Sequence, residues 1–114
     1  MAAITTHVLD TAHGRPAAGV PVTLERQTAG EQWERIGQGE TDSDGRLRTL
    51  MPEDSLLIAG VYRLVFDVAT YFHARGSQSF YPSVVIVFEA VAGEAHYHVP
   101  LLLSPFGYST YRGS

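Results

Sequence analysis

His96-Tyr97-His98-Val99-Pro100-Leu101-Leu102-Leu103 decides the fold, and it runs on into Ser104-Pro105-Phe106-Gly107-Tyr108-Ser109-Thr110-Tyr111-Arg112-Gly113-Ser114. Successive side chains of a strand point to opposite faces. Tyr97, Val99, Leu101 and Leu103 therefore share one face and His96, His98, Pro100 and Leu102 the other. The first set is continuous and apolar, as a sandwich core requires. The second mixes imidazole with aliphatic groups, a composition that suits a covered surface with a polar pocket better than bulk solvent. Ser104-Pro105 reads as a turn, and residues 107–112 as a last, tyrosine-rich strand. The terminal Ser114 is expected to carry a free carboxylate beside an arginine and two tyrosines.

Working back from this end, the period-two pattern persists, with turn residues every eight to twelve positions, as in an antiparallel sandwich or barrel. Strands are expected at 4–10, 20–27, 32–39, 46–50, 60–66, 83–91, 95–103 and 107–112, with residues 11–19 a loop. Between the fifth and sixth strands the alternation fails. Residues 67–74 read as one or two helical turns with Asp67 as N-cap and Gly76 at the C-cap. In the first strand Ile4, Thr6 and Val8 take the core parity and leave His7 and Leu9 outside. Parity thus places two histidines, His7 and His98, on non-core faces, each beside apolar neighbours.

Composition bounds the rest. The chain has 114 residues, which is one domain. Hydrophobic residues at 45% and charged residues at 18% describe an ordinary globular protein. A net charge of −4 argues against general nucleic-acid affinity. There is no cysteine, hence no disulfide and no thiol nucleophile. All cations are arginines, which leaves no lysine for Schiff-base chemistry. No basic-then-apolar leader opens the chain and no apolar run approaches the roughly 18 residues that span a bilayer, so a cytoplasmic protein without membrane contact is expected.

Taken together, three stretches carry a resemblance: residues 6–22 (THVLDTAHGRPAAGVPV), 41–47 (TDSDGRL) and 97–114 (YHVPLLLSPFGYSTYRGS). GVYRLVFDVATYF at 60–72 and FYP at 80–82 fit as well. The chain resembles the transthyretin-like proteins, specifically the 5-hydroxyisourate hydrolases. The resemblance implies an all-β sandwich of two four-stranded sheets with one short helix between the fifth and sixth strands. It implies a homotetramer, a dimer of dimers, with active sites in the clefts between dimers. It implies hydrolysis of 5-hydroxyisourate to 2-oxo-4-hydroxy-4-carboxy-5-ureidoimidazoline in urate catabolism, with no metal and no cofactor. By position it carries catalytic roles onto His7, Arg46, His98 and Ser114, and supporting roles onto Tyr111, Arg112 and Gly113.

The chemistry agrees with those residue types. Adding water to a ring acyl carbon needs a base, a group for the developing oxyanion and fixed orientation. Histidine is the side chain most readily poised near neutral pH. His7 and His98 would form an acid–base pair, in either order. The guanidinium fork of Arg46 would grip the planar, acyl-urea-like edge. Ser114 would order water or ring substituents, held in place by Tyr111 and Arg112.

Blander readings stand beside these. A lone strand histidine is more often a surface residue than a catalyst, and an arginine after an Asp-Gly turn is unremarkable. Arg48, on the same face two residues on, is the residue most easily confused with Arg46. His96-x-His98 suggests zinc, but no third ligand has recognisable spacing. Asp42 and Asp44 suggest calcium, but the rest of such a loop is missing. His96 reads as a neighbour of the site, His13 and His73 as structural or solvated, and Tyr71, Phe72, Phe80 and Tyr81 as core or interface packing. Two rival functions remain: a ligand carrier, as transthyretin is for thyroid hormone, and a structural or adhesive β-sandwich module. Carriers of that type lack the histidine, arginine, histidine set, and adhesive modules have no reason to keep YHVPLL and a terminal YRGS.

Overall fold

A computed structural model describes residues 3–52 and 54–114. Nine strands and one helix follow in the order β1 (Ile4–Asp10), β2 (Arg15–Pro16), β3 (Pro21–Gln27), β4 (Trp33–Glu40), β5 (Arg46–Leu47), β6 (Gly60–Phe66), α1 (Val68–Ala74), β7 (Val84–Ala90), β8 (Tyr97–Ser104) and β9 (Gly107–Thr110). They form two sheets, β2-β1-β8-β9 with β5 also on β1, and β4-β3-β6-β7. β8 pairs with β1 in parallel from Ile4↔Tyr97 to Asp10↔Leu103, so β5 and β2 share the other edge of β1 end to end. The first sheet is therefore four strands wide although five strands build it.

β2 is the strand that alternation misses. Its two residues pair with Leu9 and Asp10 inside what reads as a Gly/Pro loop. The strand expected at 46–50 shortens to Arg46–Leu47, and residue 50 drops into the core. The helix lies where the alternation fails. The Asp67 carboxylate accepts the Thr70 amide at its start, and Gly76, with φ 72°, turns the chain at its end.

The core lies between the sheets. Ile4, Val8, Leu101, Leu103, Tyr97 and Val99 contribute from the first sheet and Val22, Leu24, Tyr62, Leu64 and Phe66 from the second, with Val68, Tyr71 and Phe72 of α1 at one end. The parity read from the sequence is the parity observed in β1 and β8. Thr6, the polar member of the β1 core set, is buried and donates to the Val99 carbonyl at 2.6 Å. Of the four aromatics read as packing, Tyr71 and Phe72 are buried, whereas Phe80 is 69% exposed.

Candidate active site

The outer face of the first sheet carries the site, and strand register lays it out. His7 stands opposite Arg46 on one side and Pro100 on the other, while Thr5 stands opposite His98. The chain past β9 keeps the same ladder, with an isolated bridge between His98 and Gly113 whose amide donates to the His98 carbonyl at 2.8 Å. Arg46, His98 and Ser114 thereby meet in one open cleft of about 560 Å³, which Thr5, Thr6, Arg48 and His96 also line.

Arg46 is placed by its own turn. The Asp42 carboxylate accepts the amides of Asp44 and Arg46 at 2.9 and 3.0 Å, and Gly45 turns the chain with φ 76°. The bond from Arg46 holds the Asp42 carboxyl below its ordinary pKa. The turn docks on β1 where the Val8 amide donates to the Gly45 carbonyl at 2.7 Å. A Cβ at position 45 would meet the Val8 carbonyl oxygen at 2.4 Å, so both space and backbone conformation require glycine there.

His7 closes the same turn, with Nε2 2.9 Å from the Asp44 carbonyl oxygen. A carbonyl only accepts, so Nε2 carries the hydrogen and neutral His7 keeps its lone pair on Nδ1. His7 stands beside the cleft rather than in its lining. His98 places Nδ1 2.8 Å from Thr5 Oγ1, and His96 Nε2 lies 3.4 Å from the same oxygen. The His98 pKa lies below the ordinary value, first because burial penalises the charged ring and then because the cations of Arg46 and Arg48, and the His7 and His96 rings whenever they are protonated, oppose a charge on it. His98 is therefore neutral at pH 7, the form a general base requires.

The four terminal residues divide. Ser114 lines the cleft, while Tyr111 is 58% exposed and outside the lining. Arg112 lies outside the cleft lining, its guanidinium carbon 4.7 Å over the Tyr97 ring and Nη2 3.6 Å from Glu94 Oε2. Gly113 is fixed by space, because a Cβ there would stand 2.6 Å from His98 Cδ2 and 3.2 Å from Pro100 Cγ. Gly113→Ala is expected to push the imidazole aside. A displacement of roughly 1 Å in a catalytic group can cost about 100-fold in rate. The expected result is a loss of that order in kcat with a melting temperature close to wild type.

Sequence reasoning left out Thr5, although its parity with His7 puts it on the same outer face. It noted Arg48 only as a rival of Arg46, whereas both guanidiniums line the cleft. Among the described residues lining the cleft there is no carboxylate side chain, and none form a group of three or more His, Cys, Asp or Glu placed to hold a metal ion. The two arginines there suit electron-rich ligands, because a guanidinium only donates hydrogen bonds.

Two stacked sheets, a helix at one end and a histidine–arginine cleft on an outer sheet face define a transthyretin-type β-sandwich with a small-molecule site. The chain belongs to the HIUase/Transthyretin family, whose model matches residues 4–113. It is 48% identical over 118 residues to a 5-hydroxyisourate hydrolase of Caulobacter vibrioides, covering 100% of both chains. Among solved structures, the Klebsiella pneumoniae 5-hydroxyisourate hydrolase superposes with a TM-score of 0.85 at 37% identity, covering 100% of both chains. The transthyretin of Sparus aurata superposes with a TM-score of 0.91 at 36% identity, covering 99% of this chain and 97% of that one.

Proposed function

We propose that this chain is a 5-hydroxyisourate hydrolase of purine catabolism, a single-domain enzyme that opens the ring by attack of water on an acyl carbon. One observation carries the reading: His98, Arg46, Arg48 and Ser114 line one cleft, where burial favours the neutral form of His98. His98 Nε2 takes a proton from water as the water oxygen bonds to the acyl carbon. Arg46 grips the planar substrate and offsets the charge that develops on the carbonyl oxygen. The ring C–N bond then breaks and the proton passes to the leaving nitrogen. His7, tied through Nε2 to the Asp44 carbonyl, offers Nδ1 as an acceptor that orients substrate. The Ser114 hydroxyl orders the water, and Tyr111, Arg112 and Gly113 hold that end of the chain. The reading assigns no metal and no cofactor.

The assembly proposed with it is a homotetramer, a dimer of dimers. Its support is the exposed edge strand β7, where Val85 and Val87 are 44% and 58% exposed, and the exposed ring of Phe106. We place the enzyme in the cytoplasm; no helix among the described residues is long and apolar enough to cross a membrane.

Structural likeness leaves a carrier as the second reading, since the two solved relatives are equally similar in sequence. Freshly prepared 5-hydroxyisourate separates them. The expected result is ring opening well above the spontaneous rate. Decay at the spontaneous rate, with or without hormone binding, removes the hydrolase reading.

A further inference from the structure

Thr5 is directly opposite His98 in the β1–β8 ladder, is 7% exposed, and holds two imidazoles on one hydroxyl. A hydroxyl has one proton to donate and two lone pairs to accept with. Both imidazoles can donate to Oγ1 only if the threonine proton goes without an acceptor among the described residues, so two proton orders satisfy every member of the trio. In one, His98 Nδ1–H donates to Thr5 Oγ1, which donates to His96 Nε2. In the other every bond is reversed, and His98 carries its hydrogen on Nε2 instead. The orders differ in what His98 offers the cleft, a lone pair or an N–H. Arg46 and Arg48 line the same cleft beside Ser114, and guanidinium groups, which only donate, favour the lone pair on that side and the N–H on the far side, toward Thr5. We infer that Thr5 is a positioning residue that locks His98 in the Nδ1–H tautomer, with His96 taking the threonine's own proton, so that Nε2 of His98 stays free to accept a proton in the cleft.

The inference deepens the proposed hydrolase reading and rests on it for its catalytic consequence, but not for the tautomer itself. The groups that face His98 are Arg46, Arg48 and His7 from neighbouring segments and His96 from its own. None of them holds Nδ1; Thr5 alone does so among the described residues. Removing the hydroxyl frees the ring to exchange tautomers and to rotate.

The test uses Thr5→Val, which keeps the shape and the strand preference, Thr5→Ser, which restores the hydroxyl, and His96→Leu. The His98 ring nitrogens are read by long-range 1H–15N correlation above pH 7 without substrate, and kcat and KM are measured with 5-hydroxyisourate. In wild type and Thr5→Ser, Nδ1 is expected to be the protonated nitrogen. In Thr5→Val the two nitrogen shifts should converge toward a mixture. Its kcat should fall about 10-fold or more, the usual scale for a group that orients a functional imidazole, with little change in KM. His96→Leu should show a smaller shift in the same direction. An unchanged tautomer in Thr5→Val, or a changed tautomer with wild-type kcat, overturns the proposal, and a wild-type pattern in His96→Leu overturns its far end. Should wild type hydrolyse nothing, the function fails, while the nitrogen shifts still decide the tautomer.

Discussion

His98→Asn is expected to lower kcat by about 10²- to 10⁴-fold, the range that a positioned general base supplies. Asparagine is the informative replacement because its amide nitrogen lies near the place of Nδ1 and keeps a donor for Thr5 Oγ1. What it removes is Nε2, the atom that takes the water proton. Stability should change little. The pH profile carries the second half of the result. The folded-state pKa of His98 is depressed by burial and by the cations around it, so the ring stays neutral below the ordinary value of 6.5. The acid limb of kcat/KM in wild type should therefore fall below pH 6.5. The same depression makes the unfolded chain bind the proton more readily than the folded one between those two pKa values. The His98 contribution to stability is thus complete above pH 6.5 and is lost as the pH falls toward the folded value. Replacing Arg46 by glutamine removes one of the nearby cations and should raise the His98 pKa in an NMR titration. An acid limb above pH 6.5, or a His98→Asn enzyme with wild-type kcat, would remove His98 from the role of base.

The sequence made the faces of this molecule legible and left its hydrogen bonds dark. Period two assigned Tyr97, Val99, Leu101 and Leu103 to the core and put His7 and His98 outside, because burial on one face leaves a pattern that each strand carries alone. Arg46 could be placed because Asp42 and Gly45 define its turn locally. Other features depended on partners far along the chain. β2 exists because Leu9 and Asp10 offer an edge, not because Arg15 and Pro16 prefer a strand. Thr5 matters because the parallel ladder sets it against His98, 93 residues away. His7 faces the Asp44 carbonyl through a contact of the same kind. The place taken by Arg112 was settled by Tyr97 and Glu94, neither of which its own neighbours announce.

Asp10→Ala is expected to cost the fold about 3 kcal/mol, the low end for leaving the partners of a buried charge unmatched. The Asp10 side chain is fully buried at the end of β1. It accepts the Tyr71 hydroxyl at 2.7 Å, the His13 ring at 2.8 Å and the His13 amide at 3.0 Å, and so ties α1 to the strand that bears Thr5 and His7. Arg75 adds to this knot, its guanidinium 3.8 Å over the Tyr71 ring and bonded to the Ala18 carbonyl at 3.1 Å. Burial alone would raise the Asp10 carboxyl, but the bonds from Tyr71 and His13 outweigh it and hold the carboxyl below the ordinary value. Its share of stability is therefore present above about pH 4 and is lost as the pH falls through the folded pKa. Burial and the bond to Asp10 push the Tyr71 hydroxyl up to about 12. In the unfolded chain it ionises near pH 10, so its share is present below that and is lost between about pH 10 and 12. One network thus limits stability at both ends of the pH scale. Urea unfolding followed from pH 3 to 11 should show Asp10→Ala less stable than wild type at pH 7, with a gap that narrows in acid. Tyr71→Phe should flatten the alkaline fall. Both variants should keep kcat near wild type wherever they remain folded, because the knot sets the position of β1 and touches nothing in the cleft. A loss of kcat in folded Tyr71→Phe would mean that the α1 end of β1 is coupled to the site after all.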